Sequence, residues 1–233
     1  MLFLFHSPTP KAETHEPSSP PAEMSARVAD NYGKLPLHFE ENIGQTDSEV
    51  DFVTRGNGYT LYLTSDEAVF MLRQPTGLSS ERGPLAPEDV EIPATKYVPL
   101  RMGLIGGNPD ARAEAVEPLL GVSNYFLGND PDKWLTDVRH FGAVRYEGVY
   151  PGIDVVYHGS TGLLQYDFHV VPGASPDDIR LVFEAVDGLS IDKNGDLLLE
   201  VDGTTVRQRA PVSYQEIDGV PVEVASRFVV LEG

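Results

Sequence analysis

From Leu35 onward the chain is cut repeatedly into short runs of β-branched and aromatic residues by glycine, Asn-Gly and Asp-Gly turns. Runs of this length fit pleated strands, and turns at this spacing fold each run back on its neighbour. Residues 50–55 and 59–63 flank Gly56-Asn57-Gly58, a strong hairpin signal. Further strands are expected at 67–73, 97–105, 113–117, 122–127 and 138–146. Beyond the central hairpin they are expected at 179–184, 189–192, 197–201, 204–209, 212–217 and 222–230. The predicted fold is all-β: a large antiparallel, β-sandwich-like domain of many short strands with little helix. No internal repeat is visible, so a propeller or solenoid is not indicated.

The residues before this region differ in character. Residues 1–24 read as a disordered leader, because His6 to Glu23 is rich in Pro, Ser, Thr and Glu. Met1 to Phe5 is apolar but shorter than a signal-peptide core and lacks a basic start. Residues 25–233 are expected to form a single β-rich domain, with one or two helical turns near Met24 and a surface insertion at 74–94. The apolar run Phe228-Val229-Val230-Leu231 suggests a domain whose last strand pairs with chain further on.

The central hairpin can be read residue by residue. Gly159-Ser160-Thr161-Gly162 reads as a four-residue loop, which sets His158 opposite Leu163 and Asp154 opposite Asp167. Alternation then puts Ile153, Val155, Tyr157, Leu164, Tyr166, Phe168 and Val170 on one face, a core wall. Asp154, Val156, His158, Leu163, Gln165, Asp167 and His169 fall on the other. Two carboxylates directly opposite repel each other, so a cation, Arg145, Arg180, a shared proton or solvent must offset them. Asp154, Asp167 and His169 are therefore the low-specificity candidates for a ligand, metal or acid/base site. A solvated polar face is the plainer reading.

Trp134, the one tryptophan, follows the acidic turn Asn129-Asp130-Pro131-Asp132. A buried plug between sheets is its expected place, whereas exposure would suit a sugar-stacking platform. Asp192-Lys193-Asn194-Gly195-Asp196 has calcium-loop spacing at its start but lacks the later glycine and glutamate, so a type I′ turn through Asn194-Gly195 is expected.

The formal charge of −19 repels phosphate backbones and anionic membranes, so neither nucleic acid nor lipid surface is an expected partner. Such a surface attracts cations, with calcium the candidate; no organic cofactor is indicated. The absence of cysteine excludes disulfides and thiolate metal sites. No apolar run is long enough to form a transmembrane segment. With no His-x-His pair and no Gly-x-Ser-x-Gly, neither a zinc enzyme nor a serine hydrolase is indicated, and no catalytic residue is assigned.

Several ordered motifs carry a resemblance: Phe39-Glu40-Glu41-Asn42-Ile43-Gly44-Gln45-Thr46, Arg55-Gly56-Asn57-Gly58-Tyr59, Asn124 through Trp134, Val149-Tyr150-Pro151-Gly152-Ile153-Asp154, Tyr166-Asp167-Phe168, and Gln208 through Gln215. Together they resemble a domain of unknown function that stands at the front of large bacterial surface proteins, ahead of SBBP-type β-propeller repeats and often of immunoglobulin-like or PKD modules. The resemblance implies a secreted or cell-surface, non-enzymatic module whose partners are downstream modules of its own polypeptide, with a surface glycan or protein as a further target. A carbohydrate-binding domain built on Trp134 and a hydrolase built on Asp154 and Asp167 are the rival expectations.

Overall fold

The computed structural model describes residues 37–78, 93–160 and 163–231. The expected leader, the helical turns near Met24 and most of the expected insertion lie outside the described residues. What is described is all-β, with 61% of residues in strands.

The chain first forms an antiparallel meander. β1 (Phe39–Glu41), β2 (Phe52–Gly56), β3 (Tyr59–Leu63), β4 (Glu67–Leu78) and β5 (Pro93–Leu104) pair in succession. β6 (Arg112–Tyr125) and β7 (Leu135–Tyr150) form a long ribbon joined through a short 3-10 turn, Pro131–Lys133. β8 (Ile153–Ser160) and β9 (Leu163–Val170) extend it, and β10 (Leu181–Glu184) returns to pair with β5. These strands make one sheet of ten. β11 (Gly188–Ile191), β12 (Leu197–Val201) and β13 (Thr204–Gln208) form a three-stranded sheet, and β14 (Ser213–Ile217) and β15 (Val220–Val224) a two-stranded one.

β7 holds the large sheet together. Residues Ala143 to Tyr146 pair with β6 on one edge and β8 on the other, while Phe141 pairs with β6 and with β1. β8 and β1 therefore occupy successive stretches of the same edge of β7. Gly159, at the end of β8, lies so close to Leu37 that a Cβ there would sit 2.7 Å from the leucine Cβ.

Alternation places the core on one side of the sheet. Phe39, Leu61, Leu63, Val144, Tyr146, Ile153, Val155 and Tyr157 are buried in a single cluster. A second cluster joins Leu100 of β5 to Leu197, Leu199 and Val201 of β12, so the three-stranded sheet forms a second layer over that end. Gln74 donates to the Val201 carbonyl at 3.2 Å, Lys96 ion-pairs with Asp202, and Gln208 donates to the Tyr166 hydroxyl, which ties the layers at their rims.

Several expectations need correcting. The central hairpin pairs Ser160 with Leu163 and Asp154 with His169, two positions away from the expected register. A loop two residues shorter than the Gly159–Gly162 reading accounts for it, since pairing continues through Gly159 and Ser160. The shift is even, so every side chain keeps its predicted face. The insertion expected at 74–94 is narrower, because β4 and β5 stay paired out to Leu78 and Pro93, with a bulge between Pro75 and Gly77. The runs at 113–117 and 122–127 join into one strand, β6. The last strand ends at Val224 instead of Val230. At residues 192–195 the turn is not type I′: Gly195 takes φ +85° but Asn194 does not take a positive φ, and the Gly195 N–H closes the turn onto the Asp192 carbonyl.

Candidate functional site

The most developed polar site lies on the face of β1 and β7 that turns away from the core. Antiparallel pairing sets Phe39 beside Phe141 and Glu40 beside His140. The phenylalanines enter the core, which sends Glu40 and His140 to the opposite face. His38 stands two residues before Glu40 and shares its face, as does Arg55 of β2, two residues from Glu40's partner Val53. Ser123 and Tyr125 arrive on β6.

Their arrival depends on a bend. Ala113 and Ala115 of β6 pack against the core, yet Ser123 and Tyr125, also odd-numbered, reach Glu40 on the other face. β7 changes in step, from Phe141 inward to Val144 and Tyr146 inward. The change falls where Glu117 takes φ +58° and where the β6–β7 register slips between Pro118 and Val122.

The Glu40 side chain is only 4% exposed, and a buried carboxylate is stable only when its oxygens are satisfied. Ser123 Oγ donates to Oε1 at 2.6 Å, Arg55 Nη1 donates to Oε2 at 2.9 Å, and the Tyr125 hydroxyl also donates to Oε2. The Arg55 guanidinium lies 5.6 Å from the centre of the Tyr125 ring. Burial alone would raise the Glu40 pKa; the His38, Ser123, Tyr125 and Arg55 donors outweigh it and hold the carboxyl far below the usual range.

The two histidines stack with ring centres 4.1 Å apart, and their Nε2 atoms lie 3.7 Å (His38) and 3.6 Å (His140) from Glu40 Oε1. Burial and the neighbouring His38 push the His140 pKa down against the pull of Glu40. His140 Nε2 is also 2.8 Å from Ser123 Oγ. Because the serine proton is directed to Glu40, the shared proton in that contact comes from His140 Nε2–H. Ser123 is therefore not activated as a nucleophile: the imidazole donates to it, and the acid touches the serine instead of orienting the far ring nitrogen. That far nitrogen, Nδ1, faces Gly121, where a Cβ would stand 2.9 Å away.

One nitrogen from each histidine and one oxygen of Glu40 lie within 4.8 Å of one another. These three residues are the cluster of this kind found among the described residues. On the core-side face of the same strands a groove of about 610 Å³ opens, lined by Glu41, Asn42, Asp51, Phe52 and Arg139 among others.

The residues singled out from sequence lie elsewhere. Asp154 and Asp167 share a face but stand diagonally, and each has its own side-chain partner. Arg145 donates to Asp154 Oδ2 through Nε at 3.1 Å and Nη2 at 2.5 Å, while the Gly148 N–H donates to Oδ1 at 2.8 Å. Asp167 Oδ2 is 2.9 Å from His158 Nε2. His169 sits exposed opposite Asp154. Of the neutralising partners anticipated, Arg145 fills the role; Arg180 instead meets the Tyr150 hydroxyl through its backbone. Trp134 is not a buried plug. It is 38% exposed on the turn before β7, edge-on to Phe126 at 5.1 Å, with Nε1 donating to the Gly128 carbonyl at 3.3 Å. A turn that short, ending in exposed residues, offers no second layer to bury the indole. The calcium-like carboxylates Asp192 and Asp196 are bridged by Arg207 Nη1 at 2.8 and 2.9 Å.

The Glu40 cluster leaves no histidine pair along the chain by which it could be read from sequence. The available signal was His38-x-Glu40, two ligand-type side chains on one face of a strand; His140 becomes their neighbour only through pairing of distant strands. Comparison with curated proteins and with solved structures returns no match. Residues 39–233, which take in the whole sheet and every residue of the Glu40 cluster except His38, match the family described as domain of unknown function DUF7948, and the chain belongs to that family.

Proposed function

We propose that this chain is a non-catalytic, extracellular structural or interaction module of a multidomain bacterial surface protein, and that it works by packing against other modules of the same polypeptide. One observation carries the reading. The β14–β15 hairpin pairs with no other strand among the described residues, and all ten residues of its two strands except Ser213 are exposed. Register puts Ile217, Val220, Val222 and Val224 on one face of it. Their exposure runs from 38 to 59%, and Val229, Val230 and Leu231 beyond the hairpin are exposed as well.

A lone two-stranded hairpin is marginally stable in water, and contiguous exposed apolar surface marks a place of association. Its free strand edges suit pairing with another strand, and its apolar face suits burial. The occupant proposed is a further module of the same polypeptide, because Val229, Val230 and Leu231, a few residues beyond the hairpin, add to the exposed apolar residues of this part of the chain. The acidic surface and lack of cysteine are compatible with life outside the cell, and the resemblance to domains that precede SBBP repeats supports the same placement.

Hydrogen exchange compares this chain alone with the polypeptide encoded by the complete reading frame. Amides of Ser213 to Val224 are expected to exchange fast in the isolated chain and to be protected in the longer polypeptide. Equally fast exchange in both would overturn the reading.

A further inference from the structure

We propose that His38, Glu40 and His140 form a binding site for one divalent first-row transition ion, of the kind held by two imidazoles and a carboxylate, such as zinc or iron(II). The site stands apart from the hairpin that carries the functional reading above, so either can fail without the other.

The ligand set selects the class of ion. Two neutral nitrogens and one carboxylate suit zinc, iron, nickel or copper, whereas calcium and magnesium take oxygen ligands almost exclusively. The geometry is within reach of coordination. An ion about 2.0 to 2.2 Å from each donor requires donor atoms roughly 3 to 3.5 Å apart. Here the imidazole nitrogens lie 3.7 and 3.6 Å from Glu40 Oε1, and all three donors fall within 4.8 Å. The nitrogen-to-oxygen separations lie within a few tenths of an ångström of that range, and the two rings, stacked 4.1 Å apart, must tilt so that both nitrogen lone pairs point at one ion. The His140 proton moves from Nε2, where it is shared with Ser123, to Nδ1, a change of tautomer that adds no charge.

The surroundings resemble a supporting shell. Arg55 and Tyr125 engage Oε2, which fixes the carboxylate and leaves Oε1 turned to both histidines. Ser123 Oγ, 2.6 Å from Oε1 and 2.8 Å from His140 Nε2, is within reach as a further oxygen donor. Arg55 opposes a cation, but its charge lies on the far oxygen and its side chain is half exposed, where solvent screens it. The His38 side chain, 37% exposed, gives an ion a route in from solvent, and the formal charge of −19 favours its approach.

Calorimetric titration of the full chain with Zn(II), and visible d–d absorption with Co(II), test the site. His6 and His15 are replaced by alanine throughout, so that they contribute no sites. Saturable uptake of one ion is expected, with affinity lowered at least 100-fold by His140→Ala or His38→Ala. Tyr125→Phe, which frees Oε2 of one donor, is expected to weaken it about 10- to 100-fold. The exposed position of His38 keeps the test available if His140→Ala does not fold, with far-UV circular dichroism as the check. No saturable uptake by the parent, Co(II) bands unchanged in His38→Ala, or displacement of Co(II) by equimolar calcium would each overturn the proposal.

Discussion

Asp154 shows how a single carboxylate contributes to a fold's acid sensitivity. Burial would raise its pKa, but the Gly148 N–H and the Arg145 guanidinium outweigh burial and hold the carboxyl below its ordinary value of 3.8. A carboxyl depressed in the folded state stabilises the fold above its unfolded pKa, and that contribution is lost as pH falls through the lower folded value. Asp154→Asn is therefore expected to lower stability at pH 7 by about 1 kcal/mol, discounted because Arg145 is partly exposed. The gap between variant and parent in urea titrations should narrow as pH drops below 3.8. A gap that stayed constant with pH would rule this account out. At this scale sequence was informative about face and less so about neighbour. Asp154 and Asp167 lie on the predicted face because the register error was even, but their partners differ because a loop length decides them. Trp134 lies exposed where burial is expected for a related reason: burial depends on what folds over a residue, and nothing near Trp134 in sequence reports that.

Elements were legible where periodicity is local. The strands flanking Gly56-Asn57-Gly58 and those at 197–201 and 204–208 follow alternation and turn chemistry closely. β6 was harder, because its inward face changes partway along and a period-two count through 112–125 assigns one end wrongly. The Glu40 cluster sits at that changed end, which is why its members looked unrelated in sequence. β12 makes a sharper element-level claim. Its Leu197, Leu199 and Val201 alternate inward onto Leu100 and supply the apolar contact between the three-stranded sheet and the large one. Leu199, 2% exposed, should cost about 2–5 kcal/mol when cut to alanine. Hydrogen exchange is expected to rise first in β11–β13, with the β7–β8 amides less affected. A uniform rise across both sheets would mean that the layers unfold as one unit.

At the scale of the whole molecule, fold class and most strands are legible in the sequence, but the order of strands in the sheet is not. Pairings such as Phe39 with Phe141 and Leu104 with Leu181 span long stretches of chain, and local propensity carries no record of them. The shared edge of β7 follows from those distant pairings and has a consequence for severed forms of the protein. If a protease site is inserted between Asp132 and Lys133, in the exposed turn before β7, the cut leaves β1 to β6 on one piece and β7 to β15 on the other. β6 and β1 both remain laddered to β7, and β10 to β5, so the two pieces are expected to co-elute as one nicked species on gel filtration without denaturant. Separation into two peaks would refute this. A strand that lends one edge to two partners leaves the sheet without a seam, so the polypeptide can be interrupted at an exposed turn while the body it builds stays whole.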